Sequence, residues 1–201
     1  AELSLLKSSL CRDLLVIGTL YQQQQYMYDN KVKSVDDRIV SIHQPHIRPI
    51  VRGKAGAHTE FGAKISISVV DGWSFLDTIN FDAYNEGTEL ISQIEQYKAR
   101  FGYYPESAHA DKIYRNKVNR AYCKKHGIRI SGPCLGRPPK DVKLRQEQKD
   151  IQRQDEAVRN AVEGRFGVGK RRYKLDRILT KIKGSSKTLI ALVFMVMNLE
   201  K

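Results

Sequence analysis

Apolar residues recur at helical spacing over residues 2–30, at Leu3, Leu5, Leu6, Leu10, Leu14, Leu15, Ile17, Leu20, Tyr21 and Tyr28. The pattern predicts one or two helices, broken or bent near Gly18, with Gln22 to Gln25 on a polar face. From Ile39 the period shortens to that of strands. Residues 38–43 read as a strand, and residues 44–54 are held extended by Pro45 and Pro49 and carry several cations. Ile65, Ile67 and Val69 alternate within 60–70, and Asp71-Gly72 separates them from an aromatic run over 73–81. Asp-Gly between two such runs predicts a two-residue hairpin. Asp82 then fits the N-cap of the next helix.

Leu90, Ile91, Ile94, Tyr97 and Phe101 mark an amphipathic helix that Gly102 should end. After Tyr104-Pro105, residues 106–110 suit a short strand that delivers Asp111 to its C-terminal end, the edge at which open α/β sheets bind ligands. A helix over 116–126 closed by Gly127, and a strand over 128–130, follow. Residues 133–140, with Pro133, Gly136, Pro138 and Pro139, read as a linker. A long charged helix starts near Val142, and an apolar helix over 185–200 needs a surface to cover it.

With 201 residues and 41% hydrophobic content, the chain suffices for a packed domain. A formal charge of +13 implies a polyanionic partner, nucleic acid before a membrane surface. The excess is concentrated: between Lys140 and Lys187 there are 15 Lys or Arg against 7 Asp or Glu, a net of +8. Cys11, Cys123 and Cys134 have neither zinc-site nor disulfide-framework spacing and read as reduced thiols of a cytosolic protein. The apolar run over 189–199 is shorter than the roughly 20 residues a membrane helix needs. The first residue is Ala, which fits a piece of a longer protein.

Chemistry concentrates in the stretch from Arg159 to Lys170. On a helix, Arg159, Glu163 and Lys170 project from roughly one face, one carboxylate between two cations. Glu163 and Lys170 are then roughly 10 Å apart along the axis, a span over which an acid and an amine could engage one DNA strand. The same Arg/Glu spacing also occurs on solvated helices, where it contributes only a few tenths of a kcal/mol. Gly164, Gly167 and Gly169 predict that the helix loosens just after Glu163.

Arg159-x3-Glu163-x6-Lys170 resembles the signature around the last catalytic acid of bacterial insertion-sequence DDE transposases, with Glu156 where that family usually has Tyr. Upstream stretches extend the resemblance in order: Arg48-Pro49-Ile50-Val51-Arg52-Gly53-Lys54, Glu60-Phe61-Gly62-Ala63-Lys64, Phe81-Asp82-Ala83-Tyr84-Asn85-Glu86 and Ala110-Asp111-Lys112-Ile113-Tyr114-Arg115-Asn116. The resemblance covers about residues 38–201 and is to the C-terminal catalytic portion. It implies an α/β fold, a ribonuclease-H-like mixed sheet flanked by helices, with N-terminal and C-terminal helices. The expected division is an N-terminal helical segment over 1–35 and a partial catalytic domain over 36–201.

By the same resemblance, Asp111 and Glu163 are the second and third catalytic acids and ligands of a two-metal Mg²⁺ or Mn²⁺ site. Hard divalent cations prefer such oxygen donors, and a metal pair about 4 Å apart serves phosphodiester cleavage and strand transfer. Arg159, Lys170, Arg171 and Arg172 are implied DNA contacts, with Lys64 and Lys112 as weaker ones. The implied partners are double-stranded DNA, as transposon ends and target, and further copies of the chain in a homo-oligomer, with no membrane. The implied location is the bacterial cytoplasm, on the nucleoid. The family's first acid is expected upstream of residue 1, which would leave the chain truncated and inactive; Asp36 and Asp37 are the local substitutes. Two rival readings share the basic charge: a non-catalytic DNA-binding module, and a nuclease of related fold that never transposes.

Overall fold

The computed structural model describes residues 6–54, 57–133, 136, 139 and 141–201. Leu3, Leu5, Cys134 and part of the expected linker, Pro138 included, lie outside the described residues. The elements are α1 (Ser8–Asp29), β1 (Pro49–Lys54), β2 (Ala57–Phe61), β3 (Lys64–Val70), β4 (Trp73–Asn80), α2 (Leu90–Phe101), β5 (Ser107–Ala108), α3 (Lys117–Lys125), β6 (Arg129–Ile130), α4 (Val142–Tyr173) and α5 (Lys183–Leu199). This is a mixed α/β chain, as the pattern predicts. Among the described residues the strands pair as three two-stranded sheets, β1 with β2, β3 with β4, and β5 with β6.

Two compact units divide the chain. One comprises Ala1–Ile65, Thr78–Ala83 and Ile178–Leu192; the other comprises Ser66–Asp77, Tyr84–Arg177 and Val193–Lys201.

In the first unit α1 runs unbroken through Gly18, where an added Cβ would meet open space. Residues 38–43, expected as a strand, are irregular instead. Their backbone is engaged by α1: Ile39 N donates to Gln23 Oε1 at 2.9 Å, and Gln23 Nε2 donates to the Asp37 carbonyl at 3.3 Å. A glutamine amide has replaced the neighbouring strand. β1 and β2 are antiparallel, Ile50 opposite Glu60. Gln44 Nε2 donates to the Ile178 and Thr180 carbonyls at 2.6 and 2.9 Å, and the His46 ring meets Phe81 edge-on at 4.6 Å.

In the second unit, the turn between β3 and β4 holds Asp71 at φ 49° and Gly72 at φ 78°. Positive φ at both positions is what a type I′ hairpin turn demands. Leu90 and Ile94 of α2, Cys123 of α3 and Ile128 form a buried cluster, covered by Tyr104, Ala108 and Ile130 among others. Gly102 ends α2 at φ 84°, its N–H returning to the Lys98 carbonyl at 2.8 Å. Asp82 does not cap the next helical turn as expected. Asn85 does, its side chain accepting from Gly87 N at 3.0 Å, because it immediately precedes the 3₁₀ turn Glu86–Thr88.

β5, α3 and β6 make a βαβ unit with parallel strands, Ser107 opposite Arg129 and Ala108 opposite Ile130. The α3 helix starts on Asn116, whose side chain accepts from Asn119 N, and Asn119 is itself buried, donating to the Gly87 and Tyr114 carbonyls at 2.7 and 2.8 Å. These bonds seat the turn that follows β5.

α4 does not loosen after Glu163. It runs to Tyr173 through all three glycines, and at Gly169 the reason is packing: a Cβ there would come within 3.1 Å of Leu175 and 3.5 Å of Met197. Close approach outweighs the roughly 1 kcal/mol helical cost of glycine. The Phe166 ring meets Phe194 edge-on at 6.1 Å, and Asn198 exchanges hydrogen bonds with the Ser74 backbone at 2.7 and 2.9 Å.

Candidate active site in the second unit

A cavity of about 290 Å³ lies in the second unit, with Ile67, Leu90, Ile94 and Val162 among its apolar lining. Asp111, Arg159 and Glu163 line it as well. Residues far apart in the chain are thus gathered by two elements. β5 ends just before Asp111, and α4 presents Arg159 and Glu163 one turn apart.

Asp111 is extended (φ −68°, ψ 164°) and starts the 3₁₀ turn Lys112–Tyr114, its Oδ1 accepting from Lys112 N at 2.6 Å. Arg159 Nη1 lies 3.4 Å from the same Oδ1. The Asp111 side chain is 64% exposed, so this ion pair contributes less than about 1 kcal/mol. It fixes geometry more than stability: a cation already stands against the carboxylate that faces α4.

A tighter rung lies one helical turn earlier on α4. Asp155 is only 5% exposed, and Arg129 grips both its oxygens, at 2.8 and 2.9 Å. His109 Nδ1 sits 3.2 Å from Asp155 Oδ1, and His109 Nε2 is 2.9 Å from Ser107 Oγ. The Arg129 guanidinium holds the Asp155 carboxyl below the usual carboxylate range, against the opposing effect of burial. Burial pushes the His109 imidazole below its ordinary value, and the Asp155 charge resists that shift.

Among α4's described residues only Asp155 and Gly169 are buried. The helix that carries Glu163 is therefore located by an ion-paired aspartate as well as by the packing of Phe166 and Gly169. The motif reading passed over His109, Arg129 and Asp155. Two signals existed: His109 lies two residues before Asp111, hence on the same side of an extended chain, and Asp155 lies four residues before Arg159.

The remaining expected residues lie outside this cavity. Lys112 is exposed beside Asp111, and Lys170 is exposed near the end of α4. Arg171 Nε donates to the Gly167 carbonyl at 3.3 Å, and Arg172 pairs with Glu200 at 2.9 Å. Lys64 opens β3 within the first unit. Asp36, Asp37 and Asp82 belong to the first unit and are exposed; Asp37 pairs with Arg48 Nε at 3.5 Å. Among the described residues, no group of three or more His, Cys, Asp or Glu is gathered so that it could hold a metal ion. No helix there is long and apolar enough to cross a membrane.

No curated protein and no solved structure matches the chain. Residues 108–200, which carry Asp111, Arg159 and Glu163, match the family model described as a transposase DDE domain, so over this C-terminal stretch the resemblance read from the motifs holds.

Proposed function

We propose that the chain is the C-terminal catalytic portion of a DNA transposase, cutting at transposon ends and joining them to target DNA through Asp111 and Glu163. The observation that carries this reading is that both carboxylates and Arg159, all three within the matched stretch, line one cavity. A ribonuclease-H-like arrangement of residues 36–201, following a helical segment over 1–35, is part of the same proposal. So are action as a homo-oligomer on double-stranded DNA and a place on the bacterial nucleoid.

The donor set suits a hard divalent cation, since Mg²⁺ is commonly held by one or two carboxylates and completes its shell with water and phosphate oxygens. Asp111 and Glu163 would hold Mg²⁺ or Mn²⁺, which when bound supplies charge neutralisation at the scissile phosphate and an acidified water or 3′-hydroxyl. The chain's own residues do the placing. Arg159 orients Asp111 and offers a planar donor to a phosphate. Ile67, Leu90 and Val162 form an apolar wall beside the acids. Lys170, Arg171, Arg172, Lys112 and Lys64 would hold the DNA backbone.

The test is metal-dependent nicking of DNA carrying the element's ends, with Asp111→Asn and Glu163→Gln. Both substitutions should abolish cutting and leave DNA affinity nearly unchanged; undiminished cutting by either variant overturns the assignment. A non-catalytic DNA-binding module is the second reading, favoured by the lack of a third gathered carboxylate among the described residues. It requires DNA binding that falls steeply with salt, with no cutting in any divalent metal.

A further inference from the structure

The second unit holds another cavity, of about 620 Å³, lined by the first half of α4 and by the chain around and after β6. Its charged lining is one-sided: Arg115, Arg129, Arg145 and Lys149 against the single carboxylate of Asp155. Arg129 neutralises that carboxylate through both oxygens, at 2.8 and 2.9 Å. Three cations therefore remain to face whatever enters.

Their placement is specific. Arg145 and Lys149 are four residues apart on α4 and share a face. Arg145 is steadied by donating from Nη2 to the Pro139 carbonyl at 3.1 Å. Arg115 lies under Gly132, which adopts φ +115°; a Cβ there would stand 2.8 Å from Arg115 Nη1 and 3.0 Å from Cδ. The loop thus reserves space for this guanidinium. Its Nε is buried and has no hydrogen-bond partner. Gln148 and Gln152 add neutral amides to the same wall.

We propose that this cavity grips the sugar–phosphate backbone of a nucleic-acid strand, with Arg115, Arg145 and Lys149 on phosphate oxygens, as a site separate from the Asp111–Glu163 cavity. Guanidinium and ammonium groups spread over so large a cleft fit a string of phosphates better than one small anion. The chain's charge of +13 favours the same polyanion. The inference rests on the DNA-binding half of the proposed function and is independent of its catalytic half.

The experiment is fluorescence anisotropy of a labelled DNA duplex titrated with the full chain across a NaCl series. The variant Arg115→Gln/Arg145→Gln/Lys149→Gln should bind more weakly and lose roughly 2.7 from the slope of log affinity against log salt, about 0.9 per phosphate contact. A control removing three exposed cations outside both cavities, Lys124→Gln/Lys125→Gln/Arg153→Gln, should keep most of the slope. Arg145→Gln/Lys149→Gln alters only exposed helical positions and guards against misfolding; it should lose roughly 1.8. Unchanged slopes in both cavity variants, an equal loss in the control, or no DNA binding by the unaltered chain would each overturn the proposal. Asp111→Asn should retain the full slope, so a failure of cutting alone counts against the catalytic reading and not this one.

Discussion

One helix walls two cavities of opposite character. Over Arg145 to Asp155, α4 turns cations and amides toward the larger cavity; over Val158 to Glu163 it turns apolar residues, one arginine and one carboxylate toward the smaller. The smaller cavity gathers the acids that the family signature singles out, and the larger gathers cations to which that signature gave no role. Asp155 separates them, lining the larger cavity while its Oδ1 lies 3.2 Å from Nδ1 of His109, which lines the smaller. Under the proposed function, the cations on the first half of α4 would hold a strand, and Glu163 further along the helix would act on it together with Asp111.

The strongest way to break this comparison is at the acids. Asp111→Asn and Glu163→Gln should each lower metal-dependent nicking by more than the roughly 10–100-fold typical of losing a group one shell removed from a metal. A plasmid-nicking assay reads this directly, and a variant that still cuts at the parent's rate would deny the smaller cavity its special role.

Next in size is the rung between the cavities. Asp155→Ala should destabilise the fold by about 2 kcal/mol in urea unfolding, less than the 3–5 of a fully buried pair because Arg129 is 49% exposed. Loss of this anchor should also weaken the Mn²⁺ binding proposed for Asp111 and Glu163, measurable by the spin-resonance signal of the free ion. The pH dependence follows with a definite sign. The folded Asp155 carboxyl titrates below its unfolded value of about 3.9, so its contribution is complete above that pH and is lost as pH falls toward the lower folded value. Thermal unfolding of the parent chain should drop more steeply below about pH 4 than that of Asp155→Asn.

The smallest effects probe α4 itself. Gly164→Ala, with nothing within 4 Å of the new methyl, should stabilise the helix by up to about 1 kcal/mol. Gly169→Ala should gain nothing or lose stability, because the methyl would press on Leu175 at 3.1 Å. Thermal denaturation of the two variants side by side separates an open glycine from a packed one.

Much of the fold was legible because its causes are local. Asp71-Gly72 sets its own turn, Gly102 and Gly127 stop the helices before them with positive φ, and the apolar spacing of Leu90 to Phe101 marks α2 from first residue to last. Residues 38–43 were misread because β propensity says nothing about a glutamine on α1 that takes the backbone bonds a strand partner would have supplied. The expected loosening after Glu163 failed for a similar reason: helix propensity counts Gly169 as a defect, whereas Leu175 and Met197 pack closely over it.

The candidate site divides along the same line. Sequence alone determined which acids and cations carry the family's signature, and that Asp111 follows a short strand while Arg159 and Glu163 share a helix face, since these depend on residue type and near spacing. Only the tertiary structure decided that the three line one cavity, that Asp155 of α4 is gripped by Arg129 with His109 beside it, and that Arg115 lines a second cleft together with Arg145 and Lys149. Such pairings join residues from separate elements, and their energies depend on burial and partner geometry, which no local pattern of residues encodes.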